Sequence, residues 1–165
     1  MVHQCHNFAL EEGSRLTAAL SHTAATGTAT NGTVSSIDLG QVAPAFNVNT
    51  SSTAPYARFA VVVDWNGIDT GITGTYQVII QGADDAAFTT GATRLGVLIL
   101  GSAAQTGNEF ATPANGREVF YVDNVSVGSA GPTQNTKRFI RLQVVATYSA
   151  GTANLQLVGA WIAPI

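Results

Sequence analysis

From Val34 onward the chain alternates short runs of apolar and β-branched residues with clusters of Gly, Pro, Asn, Asp, Ser and Thr, the pattern of strands separated by turns. Seven runs are predicted as strands: Val34–Leu39, Tyr56–Trp65, Thr75–Gln81, Arg94–Leu100, Glu118–Val127, Lys137–Tyr148 and Asn154–Ile162. In the second, the period of two places Phe59, Val61, Val63 and Trp65 on one face, and Asn66-Gly67 marks a turn after it. In the sixth, Ile140, Leu142, Val144, Ala146 and Tyr148 alternate with the more polar set Phe139, Arg141, Gln143, Val145 and Thr147. That alternation predicts a sheet with one buried face and one wetter face. Seven or eight strands without a long helical pattern predict an all-β fold, a two-sheet antiparallel sandwich of the jelly-roll kind. No repeat of fixed period points to a propeller or solenoid.

The first 33 residues differ in character. The run Ser21 to Gly32 is short, polar and low in complexity, so it buries too little apolar surface to offset the entropy of ordering it alone. Between Phe8 and Leu20 a weak helical spacing is interrupted by Gly13, which leaves a helical turn or an extended strand open. The expected organisation is an N-terminal arm over residues 1–33 and a β-sandwich domain over residues 34–165. Phe8, Leu10, Leu16 and Leu20 are the arm's candidate anchors at a partner or subunit interface.

Composition narrows the function. Only 10% of the 165 residues are charged and 45% are hydrophobic, against about 25% charged in ordinary soluble domains. Such a surface is expected to be covered. The formal net charge is -3, and the one close grouping of cations is Lys137, Arg138 and Arg141. Nucleic-acid binding through phosphate neutralisation needs more clustered positive charge than this, and the grouping reads as a solvated edge or subunit contact. Cys5 is the single cysteine, which excludes an intrachain disulfide and suits a reducing cytoplasm. The first thirty residues lack a signal-peptide pattern, and no apolar stretch reaches the length of a membrane-spanning helix.

Candidate chemistry is sparse. His3, Cys5 and His6 are metal-ligating residue types, with His22 able to complete the set, but their spacing departs from usual zinc patterns and no metal or other cofactor is expected. Asp84 and Asp85 are adjacent, so on a strand they face opposite sides and cannot act as a general acid–base pair; a turn role is expected. No nucleophile elbow, zinc-protease helix, Walker loop or dinucleotide fingerprint occurs, and all three histidines fall within the arm. The protein is expected not to be an enzyme. Trp65, Trp161, Tyr56, Tyr76, Tyr121 and Tyr148 form a possible sugar-stacking set, although the registers of Trp65 and Trp161 place both in the core.

The order Ser35-Ser36-Ile37-Asp38-Leu39-Gly40, an apolar strand, then Tyr76-Gln77-Val78-Ile79-Ile80-Gln81-Gly82-Ala83-Asp84-Asp85-Ala86-Ala87-Phe88 resembles the jelly-roll cement proteins that decorate tailed-phage capsids. So do Arg138-Phe139-Ile140-Arg141-Leu142 with Val144 and Tyr148, and the Gly151-Thr152-Ala153 turn into Leu155-Gln156-Leu157-Val158-Gly159-Ala160-Trp161. The resemblance covers about three quarters of the chain, in pattern and strand order, and leaves residues 1–33 largely unmatched. It implies a virion protein made in the host cytoplasm, a homotrimer on the capsid surface, with the major capsid protein as partner and no role for nucleic acid or membrane. The rival expectation is a carbohydrate-binding or receptor-binding β-sandwich module, recognisable by an open aromatic groove with convergent polar groups.

Overall fold

The computed structural model describes residues 15–39, 58–68, 74–89, 91–101, 115–123, 126–127, 134–135, 137–149 and 153–163. Twelve strands occur among them: β1 (Arg15–Thr17), β2 (Leu20–His22), β3 (Ala29–Asn31), β4 (Ile37–Asp38), β5 (Arg58–Ile68), β6 (Gly74–Ala83), β7 (Thr93–Gly101), β8 (Gly116–Asp123), β9 (Ser126–Val127), β10 (Gln134–Asn135), β11 (Phe139–Tyr148) and β12 (Leu155–Ala163). The described residues contain no helix.

Two five-stranded antiparallel sheets form the body. In the first, β1 and β2 both pair with β12, which pairs with β5, which pairs with β8; in the second, β3 and β4 pair with β11, then come β6 and β7. The pairings are nested along the chain: β1 and β2 with β12, β3 and β4 with β11, β5 with β8, β6 with β7. A long antiparallel ribbon folded over itself in this way is a jelly roll. A separate two-stranded pair, β9 with β10, lies between β8 and β11 in sequence.

The alternation read from the sequence is what holds the sheets together. Phe59, Val61, Val63 and Trp65 point inward from β5, and Ile140, Leu142, Val144 and Ala146 point inward from β11; all are buried. Between them lie Tyr76, Val78 and Ile80 of β6 and Leu155, Leu157, Ala160 and Ile162 of β12, giving one continuous core. The Tyr76 hydroxyl, carried into this core, accepts a hydrogen bond from the Asn154 amide at 2.9 Å. A buried phenol left without a partner would cost free energy, so the bond fixes the segment leading into β12.

Two expectations are corrected. Residues 15–33 do not form an arm: Leu16 is 1% exposed and His22 is fully buried, both inside the sandwich. Their strands are only three residues long, so much of their anchoring comes from backbone and hydroxyl hydrogen bonds rather than apolar area. The Thr17 hydroxyl donates to the Ala18 carbonyl at 3.0 Å and accepts from the Thr33 amide at 3.1 Å, while the Ala18 amide donates to the Thr33 hydroxyl at 2.8 Å. The Gly27 and Gly32 amides donate to the Ala146 and Leu142 carbonyls, each at 2.8 Å. Residues 1–14, including Phe8 and Leu10, lie outside the described residues.

The Asn66-Gly67 turn is the second correction, since β5 runs through it to Ile68. Opposite it, the register jumps: Leu155 pairs with Ile68, Gln156 with Gly67, Leu157 with Trp65 and Gly159 with Asp64. Asn66 and Val158 are left without partners, so each strand carries an extra residue at nearly the same place. The Asn-Gly pair is absorbed as a bulge because β12 supplies a continuous partner on both sides of it.

Deleting residues 15–33 is therefore expected to abolish folding rather than to trim a tail. Circular dichroism and urea titration of that deletion check it: a cooperative transition close to that of the full chain would return these residues to the status of an arm. Within the body, Leu142→Ala is expected to lower stability by about 2–5 kcal/mol, the usual cost of a leucine cavity in a packed core, measured by the shift in urea midpoint.

Candidate interaction face

Three ion pairs among the described residues commit six charged side chains to one another. The Arg117 guanidinium donates twice to the Asp64 carboxylate, at 2.6 Å each, and Arg138 donates twice to Asp38 at 2.9 and 2.8 Å. In each case the hydrogen bond, then the carboxylate's charge, raises the guanidinium pKa above its ordinary value. Lys137 donates to Asp84 at 2.8 Å with its side chain only 9% exposed, which corrects the reading of Lys137 as a solvated edge residue. Its stem lies over Gly82, where an added Cβ would come within 2.7 Å of the Lys137 Cβ and 2.6 Å of Leu95, so glycine is what lets the lysine fold flat.

Asp85 takes the turn role expected of it. Its Oδ1 accepts from the Ala87 amide at 3.0 Å, the Thr89 amide at 3.1 Å and the Thr89 hydroxyl at 3.2 Å. Phe88, at a φ of 56°, occupies the left-handed region that a bulky residue rarely adopts. The Arg141 guanidinium lies 4.3 Å from the Phe88 ring centroid and also donates to Gln81 at 2.9 Å, clamping the turn onto the second sheet.

Of the candidate metal ligands, His3, Cys5 and His6 lie outside the described residues. His22 is buried on β2 opposite Leu155, and its Nδ1 is 2.8 Å from the Thr30 hydroxyl of β3, tying the edges of the two sheets together. Its Nε2 is buried without a hydrogen-bond partner. No group of three or more His, Cys, Asp or Glu side chains is poised for a metal among the described residues.

The outward face of the first sheet is where exposed apolar area gathers. The register sets Arg15, Trp161, Val62 and Val119 in one cross-strand row, with Ala163, Ala60 and Tyr121 in the next. Tyr121 is 67% exposed, Val158 46% and Val119 45%, so three of the four large exposed apolar side chains among the described residues are on this face; the fourth, Ile99, is on edge strand β7. Trp161 is half-buried here, which corrects its expected place in the core: its neighbours Ala160 and Ile162 take the inward positions. The indole lies over Gly159, where an added Cβ would meet ring atoms at 2.7 and 2.8 Å. The indole N–H of Trp161 and the Nε of its row neighbour Arg15 are both buried without a hydrogen-bond partner.

Where the paired bulges meet the bend between β1 and β2, a shallow groove of about 330 Å³ opens, lined by Ala19, Leu20, Ser21, Asn66, Gln156, Leu157 and Val158. Leu20, expected as an anchor for a partner, packs against the core from one side of this groove, and Leu16 is wholly internal. The aromatic set does not converge into a sugar platform. Trp65 and Tyr76 are core residues, Tyr148 packs against the core, Tyr56 lies outside the described residues, and β5 separates Trp161 from Tyr121. No protein-family model, curated protein or solved structure matches the chain.

Burial holds the His22 pKa below its ordinary 6.5. The unfolded chain then binds a proton more readily than the folded one, so the stability linked to this residue is complete above about pH 6.5 and falls as pH drops towards the folded value. Urea midpoints measured from pH 8 to pH 5 are expected to decline below about 6.5, and His22→Gln is expected to flatten that part of the profile.

Proposed function

We propose that the protein is a structural virion protein, a jelly-roll cement protein that binds the outer surface of a tailed-phage capsid and stabilises contacts between major capsid subunits. The observation that supports this reading is the outward face of the first sheet, where Trp161, Val62, Val119, Tyr121 and Ala60 stand together beside the Asp64–Arg117 ion pair, with Arg15 and Asp123 as the further charged residues. Such a face loses little by leaving water, because neutral side chains cost less to desolvate than ions.

The work of a cement protein is contact rather than chemistry. Attachment is non-covalent, and a self-associated form engages neighbouring subunits at several points, so that modest contacts add up to slow release. The groove holds no aromatic ring beside its polar Ser21, Asn66 and Gln156, and β5 separates Trp161 from Tyr121, which favours a protein surface over a glycan, since a glycan calls for convergent polar groups beside a stacking ring.

Binding of the purified protein to undecorated capsids tests the proposal, with electron microscopy to place it. Occupancy is expected to change little between low and moderate salt, because ionic contacts contribute little. Val158→Asp is expected to weaken binding by about tenfold or more, the equivalent of losing one buried valine. Full release by moderate salt, or unchanged binding by Val158→Asp alongside saturable glycan binding, would overturn it.

A further inference from the structure

Strand β8 is an edge. It pairs with β5 on one side, and among the described residues no strand pairs with the other. Natural proteins blunt such edges with charge, proline or a covering segment, since an open row of backbone N–H and C=O groups recruits further strands. Here the sequence Gly116-Arg117-Glu118-Val119-Phe120-Tyr121-Val122-Asp123 carries charge, but in an arrangement that complements itself.

We propose that β8 is a docking edge for a second copy of this chain, paired antiparallel about a two-fold axis at Phe120. In that register Arg117 stands opposite the partner's Asp123, Val119 opposite the partner's Tyr121, and both pairs recur on the other side of the axis. Arg117, Val119, Tyr121 and Asp123 all lie on the outward face, and directly opposed residues of an antiparallel pair share a face, so the four contacts fall on one surface. Sliding the strands by two residues either way sets Arg117 against Tyr121 or takes it beyond the strand, and no other same-face register opposes both charges. Arg117 already meets Asp64 at 2.6 Å, so the partner's Asp123 extends an alternating row, Asp64, Arg117, Asp123, across the seam. The exposure of Val119 and Tyr121 has the same explanation: each is the apolar half of a pair that the other copy completes.

Such a contact is isologous and joins copies two at a time. It makes one sheet continuous through two protomers, and it gives an even number of chains where the resemblance to cement proteins implies three. The inference does not depend on the capsid, because it is tested without one.

The test is the mass of the full-length protein by light scattering over a concentration series, together with cross-linking. A particle of two chains, or an even multiple of the 17.0 kDa chain, is expected. Asp123→Arg, which sets two arginines face to face, is expected to raise the dissociation constant at least tenfold while circular dichroism stays unchanged. In a Cys5→Ser background, Val119→Cys with Tyr121→Cys is expected to form a disulfide-linked pair of chains on mild oxidation, and either cysteine alone to form far less. A chain that stays single at tens of micromolar, a three-chain particle, an assembly indifferent to Asp123→Arg, or one in which the paired cysteines do not cross-link would overturn the proposal.

Discussion

The molecule depends on the last two strands of its body. Strand β12 is the inner neighbour of β1, β2 and β5, and β11 is the inner neighbour of β3, β4 and β6, so each sheet is assembled around a strand from the final quarter of the sequence. Their inward side chains, Ile140, Leu142, Val144, Leu155, Leu157 and Ile162, are essentially inaccessible to water. The burial that stabilises the fold is therefore realised only when distant segments meet, which places the loop-closure cost ahead of most of the gain. A sandwich of this kind is cooperative because neither sheet is complete without these strands.

The long strands were legible because their side chains alternate over seven to eleven residues, and β5, β6, β11 and β12 lie close to where the pattern puts them. What escaped was whatever rested on a single residue or on hydrogen bonding. Leu16 is one apolar residue in a strand of three, and the Thr17–Thr33 exchange leaves no period in the sequence. Asn66-Gly67 carries the local signature of a hairpin, but the unbroken partner strand β12 overrides it, as tertiary context overrides local preference elsewhere. Trp161 sits on the outer face because the bulge at Val158 changes which residues point inward, and a bulge cannot be counted from one strand alone.

The candidate interaction face was legible only in outline. Low charge and abundant Thr, Ala and Val lead to the expectation of a covered surface, and three of the four large exposed apolar side chains among the described residues lie on the outward side of the first sheet. Of the four anchors inferred from the N-terminal segment, Phe8 and Leu10 lie outside the described residues, Leu16 is spent on the protein's own interior and Leu20 packs partly against it: leucines at helical spacing look available for a partner when their strand partners are not in view. The residues left available, Val119, Tyr121 and Val158, sit in strands whose other faces are occupied with the core, so only the pairing register distinguishes them.

The nested pairing also sets an order of events during synthesis. Strand β2 acquires its partner only when Leu155 to Leu157 has been made, about 130 residues after His22. Until Gln143 to Val145 is made for Ala29 to Asn31, and then Leu155 to Leu157 for Leu20 to His22, the segment Ser21 to Gly32 lacks its partner strands, and its Ser, Thr, Ala and Gly content gives it little tendency to stick to itself or to neighbouring chains. The neutral, repetitive composition that disguises these residues as a tail is thus suited to strands that have to remain harmless until β11 and β12 arrive.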